Sequence, residues 1–113
     1  MIEFTVRDYL KDRLNVPVYL ELPKDHGDSY VLIEKTGSSR QDWINHATFA
    51  IQSIAPRLAN AILLNEEVKE VMNSMTSLPE VSRVALNSDY NFTDQEKKIP
   101  RYQAVYNLVF LTL

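Results

Sequence analysis

Between Trp43 and Ser77, in WINHATFAIQSIAPRLANAILLNEEVKEVMNSMTS, the spacing of apolar residues changes from a period of two to a period of roughly 3.6. Ala47, Phe49 and Ile51 alternate with Thr48, Ala50 and Gln52, as a half-buried strand requires, because successive side chains leave opposite faces. From Ile54 onward Leu58, Ala61, Ile62, Leu64, Val68, Val71, Met72 and Met75 share one stripe of a helix, with Arg57, Asn60, Glu66, Glu67, Lys69 and Glu70 mostly off it. Ser53 is placed to cap that helix, and Pro56 fits its first turn, where a missing N–H breaks no bond. The helix is expected over about Ile54 to Met75, with Asn65 on its apolar side and an early stop possible at Asn73–Ser74. A strand that feeds a one-sided helix must lie under it, so the chain is expected to be α+β.

The flanking segments supply the rest of the sheet. Thr5 and Asp8 have capping-box spacing ahead of a short helix over about Val6–Leu14, which Asn15 and Pro17 terminate. Val18–Leu22 reads as a strand, the loop from Pro23 to Ser29 as a wide turn, and Tyr30–Glu34 as the second strand of a hairpin. Lys35–Asp42 is polar and reads as a mobile connection into the long strand. Val81–Tyr90 alternates partly and reads as a further strand, and Asn91–Pro100 reads as a disordered, charged loop. The fold class expected is a mainly antiparallel sheet of four to five strands, with a short N-terminal helix and one long helix packed on it, residues 1–113 forming a single domain.

The last stretch, RYQAVYNLVFLTL, is apolar on both faces. Tyr102, Ala104, Tyr106, Leu108 and Phe110 line one; Val105, Val109, Leu111 and Leu113 line the other. An antiparallel sheet with one wet face alternates more cleanly, so a cover over the second face is expected, and another subunit would provide it. Val105, Val109, Leu111 and Leu113 are therefore the expected oligomer interface.

Composition closes several functional classes. There is no cysteine, hence no disulfide, thiol nucleophile or thiolate metal site. The net charge of −3 gives no basic face for nucleic acid, and the two glycines, Gly27 and Gly37, cannot build a phosphate-cradling loop. With no signal-like or membrane-spanning run, a cytoplasmic location is expected. Asp25, His26 and Asp28 read as turn residues better than as metal ligands, with His46 on another element. Lys35–Arg40 offers hydroxyls and cations, but nothing ties Ser38 or Ser39 to His46 as nucleophile to base. Glu66, Glu67 and Glu70 read as a solvated helix surface, and Asn91-Phe92-Thr93 as a chance sequon. No catalytic residue, metal or cofactor is expected.

The order of elements, the Val18-Tyr19 strand after an N-terminal helix, the run HATFAIQSIAPRLANAI and the terminal RYQAVYNLVFLTL together resemble the tail terminator (tail completion) family of long-tailed bacteriophages. The likeness spans nearly the whole chain, and related neck proteins of the same virions share the pattern. It implies a structural, non-enzymatic virion protein that assembles as a hexameric ring on the head-proximal end of the tail tube, ending tube growth and offering a head-docking surface. The implied partners are further copies of the chain, the tail tube protein and a head completion or connector protein, with DNA passing through without specific binding. The implied locations are the host bacterial cytoplasm during assembly and the tail–neck junction of the virion. The family places subunit contacts on the sheet and on loops that order during assembly; the matching loops here contain Ser38 and Arg40, and Asp94, Glu96, Lys97 and Lys98. The alternatives are another head–tail joining protein or an unrelated homo-oligomerising adaptor. An enzyme would instead need a pocket gathering His46, Asp42 or Tyr30.

Overall fold

The structure, a computed structural model, describes residues 1–111. It is α+β. Helix α1 (Ile2–Arg13) leads into β1 (Val18–Tyr19), then β2 (Tyr30–Gln41), β3 (Ile44–Ile54), α2 (Leu58–Asn73), a 3₁₀ turn (Ser74–Ser77), β4 (Val81–Asn91) and β5 (Arg101–Leu111). The strands form one five-stranded sheet in the order β1-β2-β3-β5-β4. Every pairing is antiparallel except β1 with β2.

Both helices pack on the same side of this sheet. Val6, Tyr9 and Leu10 of α1 join Leu64, Val68 and Met72 of α2 over Ile33, Phe49, Ile51, Tyr106 and Leu108, all buried. The predicted core face of β5 is thus the one observed. On α2 the stripe is narrower than expected. Ala61, Leu64, Asn65, Val68 and Met72 are buried, whereas Leu58 and Ile62 are exposed, because they lie at the edge that turns away from the sheet. The Tyr9 hydroxyl donates to the Ser74 carbonyl at 2.8 Å, and the Arg13 guanidinium lies 3.6 Å from the Tyr9 ring centroid. These contacts fasten α1 to the end of α2.

The segment Val18–Leu22 does not form a hairpin with Tyr30–Glu34. Only Val18 and Tyr19 pair with it, in parallel, and the chain loops back so that the Val31 N–H donates to the Pro17 carbonyl at 2.9 Å. Lys35–Asp42 is not a mobile connection. Lys35 to Gln41 is the second half of β2, paired with β3 down to Gln41↔Ile44, with a bulge between Lys35 and Gly37, and Asp42 opens the turn. Its polarity records that this half of the hairpin extends past the helices, where nearly every residue is exposed.

Ser53 does not cap α2; it lies buried in β3, and Arg57 occupies the cap position with an extended backbone (φ −124°, ψ 147°). Pro56 disfavours the helical conformation at Ala55, and the helix starts only at Leu58. Likewise Thr5 lies inside α1, its hydroxyl donating to the Met1 carbonyl at 3.1 Å, and Leu14 ends that helix in an extended conformation (φ −98°, ψ 155°). Bulges in β4 between Val81 and Arg83 and between Leu86 and Ser88 reverse its alternation twice. Asn91–Pro100 is a hydrogen-bonded connection: the Phe92 N–H donates to the Arg101 carbonyl at 2.7 Å and the Lys98 N–H to the Asp94 carbonyl at 2.8 Å. No helix among the described residues is long and apolar enough to cross a membrane.

Candidate functional site

The second face of the sheet carries no helix. The registers Ile44↔Leu111, His46↔Val109, Thr48↔Asn107, Ala50↔Val105 and Gln52↔Gln103 place these residues on it. β3 and β5 are central strands, so this face lies in the middle of the sheet rather than at an edge. Val105 and Val109 are half-buried by their neighbours, and Leu111 is 45 % exposed beside Ile44, also 45 %. Leu113 lies outside the described residues.

The polar side chains interspersed on this face bond to one another. Thr48 Oγ1 donates to Asn107 Oδ1 at 3.0 Å, Gln52 Nε2 to Gln103 Oε1 at 2.9 Å, and Gln103 Nε2 to the Tyr90 hydroxyl at 2.6 Å. Arg101 Nη1 donates to Gln52 Oε1 at 3.2 Å. Amides and hydroxyls paired in this way surrender fewer bonds to water when a partner covers them than unpaired ones would. The face therefore mixes apolar side chains with amides and hydroxyls bonded to one another, while Arg101 Nε is buried without a partner.

The two expected assembly loops lie at opposite ends of this sheet. Ser38 and Arg40 are in the outer half of β2, opposite Ala47 and Asn45. That hairpin turns at Asp42-Trp43, with Asp42 in the left-handed region (φ 58°). Trp43, the chain's single tryptophan, is 70 % exposed, with the Arg40 guanidinium 5.7 Å from its ring centroid. Large aromatics are seldom so open on a folded chain. Asp94, Glu96, Lys97 and Lys98 are exposed at the far end, where Lys98 also has a positive φ of 53°. Both left-handed non-glycine residues found among the described residues thus sit in these loops.

At that far end the loop before β2 and the loop after β4 meet around an open cavity of about 330 Å³. Tyr30, Ile54, Pro56, Ile99 and Pro100 give it apolar walls, and His26, Asp28 and Lys98 give it a polar rim. The His26 ring meets Tyr30 edge-on, with centroids 5.1 Å apart, and His26 Nδ1 lies 2.9 Å from the Gly27 carbonyl. His46 and Asp42 do not reach this cavity, because they lie at the other end of β3. No cluster of three His, Cys, Asp or Glu that could hold a metal ion occurs among the described residues.

A partly buried polar cluster, which periodicity could only mark as Asn65 on an apolar stripe, joins α2 to β4. Asp89 Oδ2 accepts from Asn65 Nδ2 and from Lys69 Nζ, each at 2.9 Å, and Lys69 also meets Glu66 Oε1 at 2.9 Å. Hydrogen bonds from Lys69 to Glu66 and Asp89 hold its ammonium above the usual lysine range. The buried Tyr106 hydroxyl beside this cluster has no hydrogen-bond partner, and burial pushes it up to about 12. The cluster joins helix to strand and so acts as a clasp. A second clasp, Glu3 to Lys35 at 3.1 Å, ties α1 to β2.

No family model matches the sequence, and no curated protein matches it either.

Proposed function

We propose that the chain is a self-assembling structural subunit: a phage tail terminator that closes as a ring on the head-proximal end of the tail tube, stops its growth and presents the surface on which the head docks. The observation that carries this reading is the uncovered centre of the sheet. Ile44 and Leu111, both exposed, and the half-buried Val105 and Val109 lie on a face that no helix covers, among side-chain amides already bonded to each other. Such a face suits burial under another protein subunit. The β2–β3 hairpin supports the reading too, since it reaches past the helical layer and stretches the molecule to 43 Å along one axis and 25 Å along the others. The partners are further copies of the chain, a tail tube protein and a head connector protein, and contact alone does the work, without covalent chemistry. The net charge of −3, repeated around a ring, favours a passage through which DNA slides.

The test is tube growth. Purified chain added to assembling tail tube protein of the phage that encodes it should give tubes of limited length with one capped end. Tubes of unlimited length with bare ends would refute the reading.

A further inference from the structure

We infer that the hairpin tip led by Trp43 seats in the cavity between the loops at the opposite end of the sheet of the next copy. This deepens the ring reading and rests on it for the identity of the partner as a second copy. Trp43 cannot fill its own cavity. It precedes β3, and the cavity wall at Ile54 ends β3, so the strand's 11 residues at ~3.3 Å each separate them by roughly 35 Å.

The two surfaces match in size and chemistry. An exposed indole flanked by Arg40 and Asp42 would meet apolar walls rimmed by Asp28 and by His26 and Lys98. The cavity, about 330 Å³, is at the small end of ligand pockets and suits one aromatic side chain. Continuity with the uncovered face is a further argument. Tyr30 and Ile54, both buried in the single chain, pair with each other on the helix-free side, so the cavity they line adjoins that face. A tip that fits a cavity elsewhere on the same molecule makes a heterologous contact, the kind that generates rings when the rotation closes.

The experiment uses the full chain, Trp43→Ala, which empties the tip, and Ile99→Glu, which charges the cavity mouth. Both positions are exposed, and a thermal melt checks that each variant folds as the parent does. Self-association is followed by sedimentation, and burial of Trp43 by its emission and its access to a soluble quencher. The inference predicts that the parent associates with Trp43 shielded, and that each variant associates about 30-fold more weakly or worse, as for the loss of an interface anchor. An equal mixture should recover a two-chain species and nothing larger, since the intact tip of Ile99→Glu fits the intact cavity of Trp43→Ala. A parent that stays monomeric, an oligomer whose Trp43 remains open to quencher, a Trp43→Ala chain that associates like the parent, or a mixture without the two-chain species would each overturn it. If Trp43→Ala still caps tail tubes, the inference fails while the terminator reading stands. If the tip contact forms but tubes are not capped, the terminator reading fails instead.

Discussion

Replacing Tyr106 by phenylalanine removes one buried oxygen and keeps the ring that packs against the core. The hydroxyl is fully enclosed and has no hydrogen-bond partner, although Lys69, Asp89 and Glu66 lie close enough to influence its ionisation. Burying a hydroxyl without a bond costs about 1–3 kcal/mol, so Tyr106→Phe should stabilise the fold by about 1 kcal/mol near neutral pH. That corresponds to a rise in Tm of roughly 4 °C and a higher urea midpoint with an unchanged slope. Alkali gives an independent check. Burial raises the folded-state pKa from 10.0 to about 12, so the unfolded chain releases this proton at lower pH than the folded one does. The stability held by the neutral phenol is complete below about pH 10 and falls by ~1.4 kcal/mol per unit as pH rises to about 12. Phenylalanine has no such term, so the gap between variant and parent should widen across that window, while Lys69, common to both, cancels. Urea denaturation of both proteins at several pH values measures it. Destabilisation by about 1 kcal/mol or more at neutral pH, or a gap independent of alkaline pH, would mean that the hydroxyl is not an unpaired buried group.

Asp89→Ala should cost about 2–3 kcal/mol in urea denaturation, because the buried Asn65 amide loses its acceptor; the partly exposed Lys69 pair adds little. Leu111→Asp should weaken self-association in sedimentation while moving the monomer's stability by no more than ~0.5 kcal/mol; equal loss of both would make that face core. Gly37→Thr should stabilise β2 by about 0.5–1 kcal/mol in a thermal melt, since a β-carbon there meets nothing within 4 Å and the strand gains a β-branched residue.

The sequence patterns that could be read were those in which burial sets polarity. The two-to-3.6 switch near Ile54 located β3 and α2, and the final run marked a strand with two apolar faces, which the sheet order places between β3 and β4. The outer half of β2 was hidden because strands beyond the helical layer are wet on both sides and spell KTGSSRQ like a loop. β1 was overextended because VYLEL alternates whether or not a partner strand continues beside it; pairing stops at Tyr19. The bulges in β4 broke a period that pattern reading assumes constant. The expected interface residues Val105, Val109 and Leu111 do share the uncovered face. Trp43 carried a signal that composition alone could have raised: a lone tryptophan beside a tight, polar turn has little core to enter. The cavity had none, because its walls come from segments far apart in sequence.

Native mass spectrometry of the purified chain beside its Trp43→Ala variant, over a wide range of concentration, tests most directly whether this protein is built to bind copies of itself. The parent should form a closed oligomer of one size, and the variant should remain monomeric. A parent that is monomeric at every concentration, or a variant that assembles as readily as the parent, would contradict this.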